Sequence, residues 1–460
     1  MRKYRKKQCL ELLDTISNAH AEICRLIEKK KFQEAYQMLA DLQQAAISLG
    51  NSIESSEGEG FVTIHYLEDY CEVLFQIGEK LNDGGSDAIK VKRELQRPLT
   101  KILSSINNDI PEQEEVVFLP YKASMWDSLE SVWKKADADP ACDAYVIPIP
   151  YYDRNPDGSF GELHYEADEY PEDVPVFDYH SYNFEERHPD KIYIHNPYDG
   201  NNYVTSIPTT FYSENLRRFT DDLVYIPYFV LLEPDETNLE AAMKDVEHFA
   251  LTPGVINADH VIVQSEAMRQ VYIKVLLKTF GDTKENRKSF EEKISGAGSP
   301  KVDKVINTKK EDLEIPANWL PVMKNPDGSW KKIIFYNTSV SALLQDTQAY
   351  LEKVCDVLNI FQKERENIAL LWRPHPLMRA TLESMRPELL APYQAIVNQY
   401  INQGWGIYDD SPDVDRAIIL SDAYYGDWSS VVFLYQKTKK PIMIENVKLL
   451  STGVRKAAAK

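Results

Sequence analysis

The chain has 460 residues, 43% apolar and 11% aromatic, enough for two or three domains with filled cores. Its formal net charge of −20 argues against a general affinity for nucleic acid, whose phosphates demand basic surface. Five scattered cysteines with no CxxC pair speak against a disulfide scaffold or a cysteine zinc site and suit a reducing cytoplasm.

The start, Met1-Arg2-Lys3-Tyr4-Arg5-Lys6-Lys7, is basic, but Gln8, Glu11 and Asp14 interrupt any apolar core behind it, so no secretion signal is expected. Two readings of it stand: a solvated helix end, or a contact with anionic lipid. Nowhere is there a run of about eighteen apolar residues, the length a membrane-spanning helix needs. The expected location is cytoplasmic, including the inner face of the membrane if the basic start touches lipid.

From Lys3 to about Asn108 the apolar residues follow three-and-four spacing, as in Leu10, Leu13, Ile16, His20, Ile23 and Leu26, then Phe32, Ala35, Met38, Leu42 and Ile47. Breaks at 29–31, 50–60 and 82–85 divide this stretch into three or four helices, an antiparallel bundle covering residues 1–110. His20 and His65 fall within the stripes and read as packed or interfacial residues. The bundle carries no polar constellation, so docking or homo-oligomerisation is its expected role. Glu112 to Glu115 reads as an acidic linker.

Strand–helix alternation begins at Val116–Leu119, followed by a helix over 124–136 and a strand over 144–149, which implies a parallel sheet. Residues 151–190 hold twelve acidic residues against Arg154 and Arg187, interleaved with nine Tyr or Phe. This segment is either a solvated insertion with aromatic anchors or a surface for an acceptor or partner. Asn155-Pro156-Asp157-Gly158-Ser159 and Asn325-Pro326-Asp327-Gly328-Ser329 read as two independent turns. Further strands are expected at 192–194, which enters His195-Asn196-Pro197-Tyr198, and at 223–226 and 260–263.

A second sheet starts at Lys332–Tyr336 and turns at Asn337-Thr338-Ser339 into a helix over 341–362. Its other strands are expected at 368–372, 405–408, 417–420 and 441–444. The fold class is therefore α/β: two Rossmann-like lobes, 111–325 and 326–460, preceded by the helical bundle. Two motifs fall at the edges of the second lobe. Arg373 and His375 end a strand, where open α/β sheets bind ligands. Asp427, Ser429 and Ser430 precede a helix over 431–435, whose unpaired N–H groups and dipole attract anions. Donors converging from several elements are what a diphosphate requires.

These residues resemble a known family. Arg373-Pro374-His375-Pro376, Asp427-Trp428-Ser429-Ser430-Val431-Val432-Phe433 and Lys440-Pro441-Ile442 are similar to the C-terminal half of the CDP-glycerol glycerophosphotransferases, the teichoic-acid primases and polymerases with the GT-B fold. Trp428 stands where the family usually has tyrosine. Gly296 to Asp303 resembles the family's Gly-x-Pro-x-x-Asp segment with one added residue. The resemblance runs from about Val261 to Ile444. Members usually continue further past the Lys-Pro-Ile strand, so the sequence is expected to be either a fragment or a form with an abbreviated last lobe, ending in the low-complexity Val454-Arg455-Lys456-Ala457-Ala458-Ala459-Lys460.

The resemblance implies transfer of glycerophosphate, or a similar alditol phosphate, from a CDP-activated donor to an acceptor hydroxyl in surface-polymer synthesis. The acceptor would be a glycerol- or sugar-phosphate, free or lipid-linked. Arg373, His375, Asp427, Ser429, Ser430, Asn337, Thr338 and Ser339 would form the donor site, and the scheme calls for no cofactor and no metal. The family's catalytic histidine sits in a His-Gly-Thr-Pro-like turn. Its counterpart here, His195-Asn196-Pro197-Tyr198, lacks the glycine and threonine, so His195 stays open between catalytic base, acceptor-binding residue and structural turn residue. A nucleoside-diphosphate-sugar glycosyltransferase and a non-catalytic binding relative are the alternative functions.

Overall fold

The computed structural model describes residues 1–445 apart from 84–86, 156, 236, 377 and 412. Part of the break at 82–85, Pro156 of the first turn and the tail after Glu445 lie outside the described residues. Four helices come first: α1 (Lys3–Glu28), α2 (Phe32–Glu57), α3 (Val62–Asn82) and α4 (Ala88–Asn108). Each turns one apolar stripe inward, such as Ala35, Leu39, Leu42, Ala46, Leu49 and Ile53 on α2, and the four stripes close a single core. His20 belongs to that core, its Nε2 2.6 Å from the Tyr70 hydroxyl, whereas His65 is exposed and pairs with Glu68.

The strands follow as β1 (Glu114–Leu119), β2 (Cys142–Val146), β3 (Tyr151–Arg154), β4 (Phe160–His164), β5 (Lys191–Ile194), β6 (Thr205–Ser206), β7 (Asp222–Tyr225), β8 (His260–Ile262) and β9 (Ile294–Ser295). Six of them make a parallel sheet in the order β2-β1-β5-β7-β8-β9. The acidic segment is more regular than an irregular insertion: β4, β3 and β6 pair antiparallel into a small separate sheet. The helix expected over 124–136 is split into a 3-10 turn, Ala123–Ser128, and a helix, Glu130–Asp137.

Glu115 overturns the reading of 112–115 as a linker. It is a fully buried β1 residue, where Arg187 grips its carboxylate with Nε at 2.9 Å and Arg2 pairs at 2.8 Å. The basic start is thereby partly spent inside the fold. Lys6, also buried, donates to the carbonyls of Asn107 and Ile110, and only Lys3, Arg5 and Lys7 of the cluster remain exposed.

The second parallel sheet contains β10 (Lys332–Thr338), β11 (Ile368–Pro374), β12 (Ile407–Tyr408), β13 (Ala423–Gly426) and β14 (Ile442–Ile444), in the order β12-β11-β10-β13-β14. One expectation fails here. Val414–Leu420 is a helix, started by the Asp413 side chain, which accepts from the Arg416 N–H; the strand is β13, a few residues later. A four-residue apolar run buried on every side has no polar face to reveal its period. The helix Pro300–Asn307 lies between the lobes, touching Ala123–Ser128 and Glu130–Asp137 on one side and Val414–Leu420 and Ser430–Lys437 on the other.

Candidate functional site

In each parallel sheet the strand order reverses once, between β1 and β5 in the first lobe and between β10 and β13 in the second. Crevices at such reversals, outside the carboxyl ends of the strands, are where open α/β sheets bind ligands. His195 follows β5, Asn337 and Thr338 end β10 with Ser339 directly after them, and Asp427–Ser430 follow β13.

In the second lobe Asn337 joins the neighbouring loops. Its Nδ2 donates to the Arg373 carbonyl at 3.0 Å, and its Oδ1 accepts from Ser429 Oγ at 3.0 Å and from the Tyr424 hydroxyl at 3.2 Å. The ends of β10 and β13 approach so closely that a Cβ on Gly426, at φ 144°, would stand 2.1 Å from the Asn337 oxygen. Only glycine fits there. The sheet edge thus carries the Arg373–His375 loop and the Ser429–Ser430 helix start side by side.

Several of the expected donor residues are turned into the protein. Arg373 is 4% exposed, with Nη1 2.6 Å from the buried Asp409 and a second bond to the Ser411 carbonyl. Asp427 accepts the Ser339 N–H and the Tyr350 hydroxyl and pairs with Lys353 Nζ at 3.0 Å. The Lys353 ammonium also lies 2.8 Å from Glu445. Ser339 caps the helix Val340–Lys363 by accepting from the Ala342 N–H. Thr338 Oγ1 accepts from the Trp372 indole, and its carbonyl accepts from the His375 N–H.

These side chains hold the loops, and the groups that face outward are His375, Trp428, Ser430 and, half-buried, Ser429. Burial lowers the His375 pKa below the ordinary imidazole value, which favours the neutral ring. A cavity of about 330 Å³ opens beside Arg373 and His375, walled by Tyr393, Val397, Tyr408 and Ser411, at the lower end of small-ligand sites. Lys440, from the Lys-Pro-Ile segment, donates to the carbonyls of Ile418, Ile419 and Ser421, ending the helix Val414–Leu420.

In the first lobe His195 is fully buried. Its Nε2 accepts the Tyr121 N–H at 3.0 Å. The Ser128 hydroxyl donates to the Met125 carbonyl, so Nδ1, 2.8 Å from that oxygen, must be the donor of its own bond. Both nitrogens are occupied in one neutral tautomer, and burial depresses the pKa to about 3. The turn after His195 is fixed by Gly254, whose N–H donates to the Pro197 carbonyl and whose Cβ, if added, would meet Pro197 at 2.9 Å.

Asp409, Ser411, Tyr350, Lys353, Glu445 and Ser128 escaped the reading of the sequence. Only Asp409 and Ser411 carried a usable signal, a short polar stretch directly after a predicted strand of the same sheet. Among the described residues one group offers three metal-ligand atoms within 4.8 Å, namely Asp153, Glu162 and His164. They lie on the β3–β4 hairpin, where His164 already pairs with Asp153 at 2.8 Å.

Two doubly wound parallel sheets, each presenting polar loops at its strand-order reversal, define a two-lobed α/β protein of the GT-B kind. The sequence of the second half adds a family likeness: residues 235–449 match the family described as CDP-Glycerol:Poly(glycerophosphate) glycerophosphotransferase. No curated protein matches the chain.

Among solved structures it is similar to a UDP-GlcNAc 2-epimerase from Methanocaldococcus jannaschii in complex with UDP-GlcNAc and UDP, at 11% identity over 71% of this chain and 83% of that one, TM-score 0.40. It is likewise similar to the enzyme of that name from Neisseria meningitidis bound to UDP-GlcNAc, at 10% identity over 72% and 82%, TM-score 0.39. A third is a variant of the wall teichoic acid polymerase TagF, at 13% identity over 82% and 79%, TM-score 0.40. No helix among the described residues is long and apolar enough to cross a membrane.

Proposed function

We propose that the protein transfers an alditol phosphate, glycerophosphate first among them, from a CDP-activated donor to an acceptor hydroxyl in surface-polymer synthesis. The observation that carries this reading is the arrangement around Asn337, which sets the His375 loop beside the Ser429–Ser430 helix start within the span that matches the family. The donor diphosphate would sit at the first turn of Ser430–Lys437, between the serine hydroxyls and the His375 imidazole. Fixed donors there stabilise the charge that develops on the departing CMP. Arg373 and Asp427 act behind them, holding the two loops through Asp409, Ser411 and Lys353.

For His195 to serve as the base, the Tyr121 N–H must leave Nε2, so proton abstraction belongs to a rearranged state of the β1–β5 crevice. Replacing His195 with alanine then costs roughly 10²–10⁴ in turnover while donor affinity is kept. The buried, doubly bonded imidazole favours a second reading, a donor-binding relative without transfer activity. Calorimetric titration and thermal shift with CDP-glycerol, CDP-ribitol, UDP-sugars and CMP, run beside a transfer assay, separate the two. A bound CDP-alditol at ~100 times its dissociation constant raises stability by about 2.7 kcal/mol. Binding with turnover supports the transferase, binding without turnover the relative, and no response to any cytidine nucleotide refutes both.

A further inference from the structure

The hairpin of β3 and β4 carries Asp153, Glu162 and His164, whose ligand atoms all lie within 4.8 Å of one another. The strand register explains the grouping. Tyr151 pairs with His164 and Tyr152 with Leu163, but Arg154 pairs with Phe160, so Asp153 stands opposite two residues, Gly161 and Glu162. That is a β-bulge, a device that re-aims side chains. It sends Phe160 to the face of Tyr152 and Arg154, where it stacks on the Tyr152 ring at 4.8 Å and meets the Arg154 guanidinium at 4.9 Å. Asp153, Glu162 and His164 are left together on the face of Tyr151. Gly161 keeps the strands close there, since a Cβ on it would stand 3.3 Å from the Asp153 carbonyl oxygen and 3.4 Å from the Asp153 Cβ.

Two carboxylates side by side across a strand pair repel each other, and no lysine or arginine among the described residues offsets them. Arg154, the hairpin's own cation, lies on the other face and donates to the carbonyls of Gly158 and Gly200. Lys122 sits over the Tyr151 ring at 4.4 Å and forms no ion pair with either carboxylate. Glu162 has neither a hydrogen bond nor an ion pair among the described residues, and the link within the group runs from His164 Nε2 to Asp153 at 2.8 Å. The imidazole is fixed by stacking on Tyr151, with ring centroids 5.0 Å apart. One nitrogen and two carboxylates thus converge from paired strands. An ion about 2.1 Å from each donor holds any two of them at most about 4.2 Å apart, so a small side-chain movement closes the group around it.

We propose that Asp153, Glu162 and His164 bind a divalent first-row ion, Mn²⁺ or Zn²⁺, that clamps β3 to β4. The donor set selects that class: the imidazole disfavours Mg²⁺ and Ca²⁺, and two carboxylates without a thiolate disfavour Cu⁺. Binding replaces the hydrogen between His164 Nε2 and Asp153, which leaves to solvent as a proton. The clamp bears on the first-lobe crevice through a line of rings, Tyr151 meeting Tyr121 edge-on at 5.6 Å and Tyr121 meeting His195 at 5.4 Å. The ion takes no part in the proposed transfer step, and the inference stands whether or not the protein is a transferase.

The test titrates the untagged full chain, stripped with EDTA and dialysed, with MnCl₂ while the electron paramagnetic resonance signal of the free ion is followed. Mn²⁺ also avoids competition from the five cysteine thiols. A single saturable site per chain at micromolar Mn²⁺ is expected in the parent, lost in Glu162→Gln and in His164→Ala. Glu162→Gln is the decisive variant, because that side chain is exposed and holds nothing else in place. With the ion present, the melting midpoint should rise and amide exchange over Phe160–His164 should slow in the parent alone. No saturable binding of Mn²⁺, nor of Zn²⁺ by calorimetry, overturns the proposal, as does binding that both variants keep. Binding without slower exchange in the hairpin overturns the clamp.

Discussion

His195 shows how much a single side chain can hold in place. Its ring closes the space between the backbone of Tyr121 and the hydroxyl of Ser128, so removing it leaves a buried N–H without an acceptor and a void where the imidazole stood. His195→Ala is expected to lower unfolding free energy by about 2–4 kcal/mol, measured by denaturant titration. The same residue sets an acid limit. With folded pKa values of about 3 for His195 and about 4 for His20, both stay neutral in the fold while the unfolded chain takes up protons near pH 6.5. Stability is therefore full above that pH and falls below it, by about 2 kcal/mol per histidine at pH 5. Comparing the slope of stability between pH 7 and 5 in the parent and in His20→Gln checks this, the variant being the flatter. Glu115 gives a third expectation. Arg187→Ala leaves the buried Glu115 carboxylate with Arg2 as its remaining cationic partner and costs about 3 kcal/mol, whereas Arg187→Ala joined with Glu115→Gln recovers part of the loss.

At the scale of elements the second sheet depends on loops that meet without room to spare. Gly426→Ala drives a methyl group into the Asn337 carbonyl and forces a positive φ on a residue with a Cβ. The variant is expected to lose several kcal/mol of stability. Because Asn337 also orders Ser429, the proposed donor site predicts that nucleotide affinity falls with it, which calorimetry would show. Most strands were legible because burial on both faces makes them short, continuous apolar runs, as in Ile333–Tyr336 and Ala369–Trp372. The helices of the bundle were legible from period alone. Val414–Leu420 was not, since its apolar run Ala417–Leu420 is buried all round, and Glu115 was not, since its partners Arg2 and Arg187 lie far off in sequence. The candidate donor set was legible as motifs but not in its division of labour. Spacing places Arg373 and Asp427 at strand ends, yet whether they face outward or the interior depends on Asp409 and Lys353, which no local pattern ties to them.

At the scale of the whole molecule, two parallel sheets with the helix Pro300–Asn307 between them place the β1–β5 crevice and the β10–β13 crevice in lobes that contact across paired charges. Lys437 reaches over to Glu233 at 2.7 Å, Lys304 of the intervening helix pairs with Glu130 at 3.3 Å and with Asp415 at 3.6 Å, and Lys301 pairs with Asp127. The Lys437–Glu233 and Lys304–Glu130 pairs are partly solvated and screened by salt. Raising ionic strength is therefore expected to increase the proteolytic sensitivity of the 296–331 connection while leaving the helical bundle intact, which limited digestion followed by mass spectrometry would display. Equal resistance of the connection at low and high salt would show that apolar packing around Val305, Trp319 and Met323 holds the lobes unaided.

The anchoring of Arg2 on Glu115 and Arg187 also bears on the order of events during synthesis. The core of the four helices is complete within the first 110 residues, so the bundle can close while the remainder is still being made. Its attachment cannot, because Arg2 finds the Arg187 carbonyl 185 positions later in the chain. Until that arginine emerges, Glu115 waits with only part of its charge compensated, and β1 gains little from docking early. Attachment of the bundle is thus a late step by construction. In refolding, helical circular dichroism should recover before the near-ultraviolet signal of Tyr182, whose hydroxyl closes on the same carboxylate.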